Sequence, residues 1–401
     1  MKYKLKELAD ISSSKRIYYS EYTNKGIPFY RGKEIIEKTE NKDISNKLFI
    51  SKERYDELKI KYGVPQKGDI IMTAVGTLGK CWLVDSTEFY FKDGNCLWFY
   101  NFNRKINNKY LYYYMCSNFF QNKIDNICIG STQKALTIQQ LKEVNINIPC
   151  IETQNKIVKI LDNICHKIRI NSQTNDNLYE ITNKLYEQLF VIERQDDWKE
   201  YNLQELMDIS NGYSYTGKEL VDTSVVGMAT IKNFERTGGF KEEGFKDIEP
   251  IKAKDIHYAD RFDILVACTD LTQNADIIGN AIMLLNIGKY EKVVISMDLV
   301  KILPKKNKYL VFSILNSKEF KNFALGYKTG TTVLHLNKNC FKDFHIKLPD
   351  FDKIENFEKV VETNYKKISY NLEENNTLTQ LRDNLLPKLM NGEIDLDKIE
   401  I

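Results

Sequence analysis

The chain has 401 residues, of which 42% are hydrophobic and 28% are charged, and its formal net charge is +3 with a pI near 8.2. This composition is typical of a folded globular protein with room for two domains, and it excludes an intrinsically disordered chain. The small positive charge is compatible with nucleic-acid binding, although strongly electrostatic binders are usually far more basic.

We expect neither a signal peptide nor a paired-cysteine motif from this sequence. The opening residues MKYKLKELAD lack the apolar stretch of a signal peptide, and no apolar run is long enough to cross a bilayer. The eight cysteines are scattered without a C-x-x-C pair, which favours reduced thiols over a disulfide framework or a zinc ribbon. We therefore expect a cytoplasmic protein that makes no contact with a membrane.

The two halves of the chain carry the same predicted elements in the same order. Each half opens with a short helical turn, KELADIS in the first and QELMDIS in the second, and a strand follows at 27–32 or 226–231. A β-branched run comes next, at 68–73 before a glycine-rich turn and at 262–269 before a longer loop. The frame is shared, and the loops differ.

An amphipathic helix follows in each half, at 109–124 and at 308–323. Each half then has a G-[ST]-T loop and a strand that ends at Pro149 or Pro349. Matched positions 200 residues apart are Gly130 and Gly330, Thr132 and Thr332, Leu136 and Leu336, Ile146 and Ile346, and Asn171 and Asn371. Because this offset holds without a gap over about sixty residues, a whole unit has been duplicated.

A long helix is predicted at the end of each half, from about 152 to 190 and again 200 residues later. Apolar residues repeat every seven positions, which predicts a coiled-coil seam, and 39 residues would make a rod of roughly 58 Å. The seam comprises Ile157, Leu161, Ile164, Ile168, Leu178, Leu185 and Leu189 in the first helix and Val361, Ile368, Leu378, Leu385 and Leu389 in the second. We predict that the helices pack against each other as an antiparallel pair.

Polar residues interrupt this seam at matching places. Asn171 and Asn175 in the first helix correspond to Asn371 and Asn375 in the second, and such asparagines could pair and fix the register. Alternatively, the segment NSQTNDN is a weak, solvated middle of the helix. We predict an α+β fold in which residues 1–150 and 199–349 form two tandem α/β domains, while residues 151–193 and 350–391 form the two helices.

Catalytic motifs are missing from the sequence. It contains no phosphate-binding G-x-x-x-x-G-K-[ST] loop, no methylase tetrapeptide of the N-P-P-Y type and no nuclease cluster of acids. His335, Cys340 and His345 lie close in sequence, but no fourth ligand follows at a matching spacing. We therefore predict neither a catalytic residue nor a metal site.

The remaining signal is a set of basic, polar and aromatic residues in loops at equivalent places of the two halves. Arg, Lys, Gln and Asn can read base edges, and Lys, Ser and Thr can bind phosphates. The candidate DNA contacts are Lys15, Arg16, Tyr18, Tyr19, Arg31, Lys33, Thr77, Lys80, Ser131, Thr132, Gln133 and Lys134 in the first half, and Tyr213, Tyr215, Lys218, Lys232, Asn233, Arg236, Thr272, Gln273, Asn274, Lys328, Thr331 and Thr332 in the second. Any one of them could be ordinary solvated surface.

Taken together, these features resemble the specificity subunit of type I restriction-modification systems. The resemblance covers essentially the whole chain, and its most specific parts are G-D-I-I-M-T…G-T-L-G-K from 68 to 80 and the GSTQKAL loop with its strand ending in I-P. The second half departs from both, with Phe262 in place of the first glycine and Thr331-Thr332-Val333 in place of Ser131-Thr132-Gln133.

The resemblance implies a non-catalytic subunit of a phage-defence system. Each α/β domain would be a target recognition domain that reads one half of a split, asymmetric double-stranded DNA sequence. The helices would set the spacing and bind two methyltransferase subunits, and restriction subunits would join the complex. S-adenosylmethionine, ATP and Mg²⁺ would belong to those partners and not to this chain. Two other readings are a stand-alone DNA-binding nuclease and a coiled-coil adaptor that binds only proteins.

Overall fold

The computed structural model describes residues 1–40, 44–128, 134–236, 238–272, 275–390, 392–394 and 396. The chain forms two compact units. The first unit comprises Met1–His166 and Leu378–Ile401, and the second comprises Lys167–Thr377. Helices and strands are mixed in both, so the predicted α+β class is confirmed.

The described part of the first unit contains two four-stranded sheets. One is antiparallel and orders the strands Asp10–Ser12, Cys96–Tyr100, Ile70–Thr73 and Cys81–Leu83. The other orders Tyr22–Thr23, Phe49–Ile50, Ile27–Tyr30 and Tyr90–Phe91, of which the last two are parallel neighbours. Lys2–Lys4 pairs with Asn145–Asn147. The helices are Gly32–Thr39, Lys52–Tyr62, Asn108–Cys116, Asn118–Ile127 and Ile138–Lys142, with 3-10 turns at Leu5–Glu7 and Tyr19–Glu21.

The second unit repeats this plan. Its antiparallel sheet orders Met207–Asn211, Leu299–Pro304, Ile264–Ala267 and Ala281–Met283, and its mixed sheet orders Lys246–Asp247, Val226–Ala229, Lys292–Ile295 and Tyr258–Ala259. A third sheet orders Thr269–Asp270, Leu334–Leu336 and Lys328–Thr329, and Lys199–Asn202 pairs with His345–Leu348. The helices are Leu203–Leu206, Lys308–Asn316, Lys318–Leu325 and Cys340–Asp343, with 3-10 turns at Gly217–Glu219, Ile231–Asn233, Glu242–Gly244 and Asp255–His257.

The duplication read from the sequence is therefore also present in the topology. In both antiparallel sheets the strand that comes first in the chain lies beside the strand that comes last, and the last lies beside a hairpin formed by the other two. In both mixed sheets one pair of strands is parallel, Ile27–Tyr30 with Tyr90–Phe91 and Val226–Ala229 with Lys292–Ile295.

The prediction of one amphipathic helix at 109–124 and one at 308–323 is wrong. Each is two helices that meet at a serine, Ser117 in the first unit and Ser317 in the second. Ser117 Oγ accepts a hydrogen bond from the Phe120 amide at 3.2 Å, and Ser317 Oγ accepts from Phe320 at 3.1 Å. The serine caps the second helix, and its extended backbone ends the first. The amphipathic pattern runs through the break because both helices bury an apolar face.

The two long helices are present. The central helix is Ile151–Glu187, extended by a π-helical turn at Gln188–Ile192, and the C-terminal helix is Phe351–Met390. Within the second unit they pair antiparallel. Asn171 contacts Asn375, Thr182 contacts Asn364, and Phe190 contacts Phe357. The residue number increases along one helix as it decreases along the other, so the two helices run in opposite directions.

All twelve predicted seam residues are buried or half-buried. Ile157 and Leu161 do not pack only against the other long helix. They belong to the core of the first unit, which also contains Tyr110 and Leu389. In the second unit Val361 and Ile368 likewise join the core of the domain. Each domain therefore covers part of the apolar stripe that we assigned to helix pairing alone.

The seven-residue repeat did not predict every buried residue of the long helices. Leu386 lies outside the predicted seam and is only 5% exposed, whereas Leu381, five residues before it, is 44% exposed. Three aromatic residues that the pattern missed, Tyr186, Phe190 and Tyr365, are buried in the core of the second unit. Tyr365, for example, packs against Tyr309 and Phe312 of the domain, and an aliphatic repeat does not predict such aromatic contacts.

Candidate nucleic-acid interface

In the first unit a tight turn joins the strands Ile70–Thr73 and Cys81–Leu83 and carries two predicted DNA contacts, Thr77 and Lys80. Thr73 is fully buried and anchors the turn, since its Oγ1 accepts from the Lys80 amide at 3.0 Å and its own amide donates to the Lys80 carbonyl at 2.9 Å. Gly79 has φ +74°, and a Cβ at that position would overlap Ile124. Thr77 and Lys80 are consequently held exposed at the end of a rigid hairpin.

Two backbone hydrogen bonds bring three segments of the first unit together. The Ala74 amide donates to the Asn95 carbonyl at 2.8 Å, and the Leu136 amide donates to the Ala74 carbonyl at 2.9 Å. An antiparallel bridge between Val75 and Ala135 completes the contact. The exposed Lys134 therefore lies beside the turn that carries Thr77 and Lys80.

A predicted arginine joins the same edge of the first unit. Arg16 Nε donates to Asp93 Oδ2 at 3.1 Å, and Asp93 stands two residues before Asn95 in the chain. The Arg16 side chain is still 68% exposed, so this pair leaves most of the guanidinium to solvent. Arg16, Thr77, Lys80 and Lys134 thus form one basic and polar edge.

The second unit makes the same connections with different side chains. The Cys268 amide donates to the backbone carbonyl of Asp298 at 2.8 Å, and the Leu336 amide donates to the backbone carbonyl of Cys268 at 2.9 Å. Thr269 pairs with His335 across neighbouring strands. The predicted contacts Lys328, Thr331 and Thr332 are exposed on the adjoining segment.

The loop after Thr269 is held by a buried acid. The Asp270 carboxylate, 2% exposed, accepts from the Thr272 amide and hydroxyl at 2.8 and 2.9 Å and from the Ile277 amide at 2.9 Å. These bonds fix both ends of the loop that carries the predicted contact Thr272.

A cleft of about 630 Å³ lies beside this loop. It brings together three predicted contacts, Lys232, Arg236 and Thr272, and adds Lys241 and Leu271, which the sequence analysis missed. Leu271 is 66% exposed, and Arg236 Nε is 4.0 Å from Asp276 Oδ2. A leucine in a predicted polar loop is the feature of the sequence that could have indicated this side of the cleft.

Part of the Arg31 guanidinium binds a glutamate of the helix that follows it and is not free for DNA. Its Nε and Nη2 donate to the Glu34 carboxylate at 3.1 and 2.6 Å, and Glu34 is fully buried. Burial alone would raise the pKa of Glu34, but the hydrogen bonds from Arg31 outweigh it and lower the pKa below its usual value. Lys33, two residues after Arg31, is exposed.

The segment Lys15–Glu21 presents aromatic and basic side chains to solvent. Tyr18 is 63% exposed and Tyr19 is 88% exposed, although Tyr19 also packs edge-on against Tyr22. Lys15 Nζ lies 4.9 Å from the centre of the Tyr62 ring. Exposed aromatic side chains next to cations can contact both bases and phosphates.

Two predicted contacts are corrected, because their side chains are used inside the fold. Asn233 is fully buried: its Oδ1 accepts from the Thr230 amide and its Nδ2 donates to the Lys241 carbonyl, both at 2.8 Å. Tyr213 is 4% exposed, and its hydroxyl donates to Glu219 at 2.5 Å. We keep neither as a DNA contact.

The other predictions in the second unit are Tyr215, which is half-buried, and Lys218, which is exposed. Five predicted contacts lie outside the described residues, and they are Ser131, Thr132, Gln133, Gln273 and Asn274.

The described ranges contain neither a metal-binding cluster nor a membrane-spanning helix. Within the described ranges, no three His, Cys, Asp or Glu residues come close enough to hold a metal ion. None of the helices in the same ranges combines the length and the apolar character that a bilayer crossing requires. All eight cysteines are free thiols.

Known proteins resemble this chain at the level of sequence. Residues 1–180 match the family model for the type I restriction modification DNA specificity domain. A protein of Haemophilus influenzae described as a type I restriction enzyme specificity subunit is 36% identical over 163 residues, which are 40% of this chain and 39% of that protein. The specificity subunit of the HindI enzyme from the same organism is 24% identical over 334 residues, covering 66% of this chain and 72% of the relative.

A solved structure has the same fold. The specificity subunit of the type I restriction-modification system of M. genitalium superposes with a TM-score of 0.57 at 16% identity, over 97% of this chain and 96% of that one. The duplicated units, the paired helices and the family match agree with one another. The sequence match over residues 1–180 and the shared fold over almost the whole chain make this protein similar to the specificity subunits of type I restriction-modification systems.

Proposed function

We propose that the chain binds a split, asymmetric DNA sequence and that each unit reads one half of it. The main support is the edge built from three segments, which recurs in both units with the same backbone hydrogen bonds. The side chains on it differ: Thr77, Lys80 and Lys134 in the first unit, and Thr272 and Lys328 in the second. Because a shared frame presents different hydrogen-bonding groups, the two half-sites should have different sequences.

Exposed cations at these edges suit a polyanion. Arg16 and Lys80 in the first unit and Arg236 and Lys328 in the second are all exposed. Cations that contact phosphates add affinity without sequence preference, while polar groups that reach the base edges add specificity.

The protein partners we propose are two methyltransferase subunits, which dock on the long helices, and restriction subunits, which join that complex. A solvated helix face is available for such docking, since Ile170, Ile181 and Tyr370 are 42%, 53% and 55% exposed. We further propose that S-adenosylmethionine, ATP and Mg²⁺ bind to those partners and not to this chain. The comparisons give no support to a stand-alone nuclease or to a protein adaptor.

The decisive experiment is a base-resolution methylation map of DNA from cells that co-express this chain with a methyltransferase subunit encoded beside it. We expect a split motif, methylated on both strands, that disappears when this chain is omitted. No methylation from a demonstrably assembled complex would refute the proposal.

A domain exchange tests the independence of the two units. Replacing residues 1–149 with the same region of another family member should change one half-site of the motif and leave the other intact. A change in both half-sites would contradict a model in which each unit reads its own half.

A further inference from the structure

The small sheet at the interface of the second unit has a defined register. Leu334–Leu336 is its middle strand, with Thr269–Asp270 on one side and Lys328–Thr329 on the other. His335 is directly opposite Thr269 and also directly opposite Thr329. Residues that face each other across neighbouring strands project from the same side of a sheet, so these three residues form one row.

This row lies on the outer side of the sheet. Leu334 and Leu336, the neighbours of His335, project from the other side and are only 7% and 5% exposed, because they join the core of the unit. Within the row His335 and Thr329 are exposed, whereas Thr269, at one end of the row, is only 6% exposed.

The contacts within the row orient its side chains. Thr269 Oγ1 lies 3.5 Å from His335 Nδ1, and Thr329 Oγ1 donates to the His335 carbonyl at 3.3 Å. Since Nδ1 is the ring nitrogen that faces Thr269, Nε2 is the nitrogen that a ligand can reach. An imidazole nitrogen can donate or accept a hydrogen bond according to its tautomer.

The charges around the row favour a nucleic acid. Lys328 is exposed next to Thr329, and Thr331 and Thr332 are exposed on the following turn. Asp270 follows Thr269 in the chain, but its carboxylate points into its own loop, where it accepts hydrogen bonds from the amides of Thr272 and Ile277.

We infer that this row reads base edges in the half-site of the second unit, with His335 as a base-contacting residue and Thr269 as its positioning residue. The inference rests on the proposed function. A narrow β-ribbon fits the major groove of B-DNA, where base edges present distinct hydrogen-bond patterns. The equivalent position of the first unit is Ala135, whose side chain has no polar atom, so the two units read their half-sites with different groups.

The test uses the full chain co-expressed with its methyltransferase subunit, and it compares the methylation maps of His335→Ala and wild type. The variant should relax base preference in one half-site only and slow methylation of the wild-type motif by roughly tenfold. Thr329→Ala, made on the neighbouring strand, should affect the same half-site. His345→Ala is the matched control, because His345 is an exposed strand histidine in the same unit that faces Glu200 at 4.0 Å.

The outcomes separate this inference from the proposed function. A wild-type complex that methylates no motif refutes both. A wild-type motif that both variants reproduce at the wild-type rate overturns the inference alone. A uniform loss of methylation at every site, with an unchanged motif, also overturns base reading, because a phosphate contact carries no sequence preference.

Discussion

At the scale of single residues, the turns at Gly68 and Phe262 show that the same backbone conformation forms in both units although the residue differs. Gly68 has φ +93° and its amide donates to the Val84 carbonyl at 2.9 Å. Phe262 occupies the same place with φ +71°, and its amide donates to Leu284 at 2.7 Å. A left-handed phenylalanine costs on the order of 1–3 kcal/mol, which the surrounding hairpin and the packing of its ring offset.

Glu219 gives a prediction about pH. Hydrogen bonds from the Tyr213 hydroxyl, from Thr216 and from the Ile251 amide lower its pKa from 4.5 to about 2. A depressed pKa means that the carboxylate stabilises the fold above pH 4.5 and that this stabilisation is lost as the pH falls from 4.5 towards 2. Glu219→Gln should therefore be less stable than wild type at neutral pH, and the gap should close across this window.

Urea unfolding of both proteins between pH 2 and pH 7 measures that gap. Glu291→Gln is the control, since Glu291 is an exposed glutamate of the same unit. A gap between wild type and Glu219→Gln that stays constant down to about pH 2 would contradict the role assigned to this carboxylate.

At the scale of elements, the paired helices of the second unit contain a buried polar layer. Asn171 Nδ2 donates to Asn375 Oδ1 at 2.9 Å and to Glu374 at 2.7 Å, and Asn371 Nδ2 donates to Asn175 Oδ1 at 2.7 Å. The interpretation of this stretch as a solvated middle is therefore wrong at Asn171, Asn175 and Asn371, which are at most 5% exposed. The pairs form only in one register, so they favour the register-setting hypothesis.

Single and double substitutions separate pairing from burial. Asn371→Ala should cost about 1–3 kcal/mol, because it leaves the Asn175 side chain buried without its donor. The double variant Asn175→Leu, Asn371→Leu should be close to wild type or more stable, since neither polar group then remains unpaired. Urea unfolding measures both, and Asn177→Ala, an exposed position on the same helix, should change stability by less than about 0.5 kcal/mol. A double variant as unstable as the single one would argue against this account.

At the scale of the whole molecule, the proposed function makes the helices a ruler between two half-sites. An insertion in one helix alone would shift Asn171 out of register with Asn375 and break the polar layer. Two matched insertions of seven residues, one between Asn171 and Leu178 and one between Ile368 and Asn375, keep the heptad pattern on both helices.

These paired insertions should lengthen the recognised gap by about three base pairs, because seven helical residues add roughly 10 Å and each base pair rises about 3.4 Å. Both half-sites should be unchanged. A methylation map of cells that express the insertion variant with the methyltransferase subunit gives the gap directly, and an unaltered gap would sink the ruler hypothesis.

Several features of this protein follow from the sequence alone. The gap-free offset from Gly130 to Gly330 predicted two copies of one fold, and the seven-residue repeat predicted two long helices. Both the 200-residue offset and the seven-residue repeat depend on many positions, so each can still be detected after many single substitutions. The hairpins that begin at Gly68 and at Phe262 were also predicted, because a β-branched run before a glycine or loop has few other solutions.

Only the tertiary structure decided which loop residues face outward. Asn233 and Lys232 are adjacent and equally suited to DNA, yet the fold buries the asparagine to satisfy Thr230 and Lys241 and leaves the lysine in the cleft. The sequence around His335 suggests only a metal ligand, whereas the strand register places this residue beside Thr269 on an exposed row. Burial and register depend on partners far away in the chain, and the type of a residue does not encode where those partners will lie.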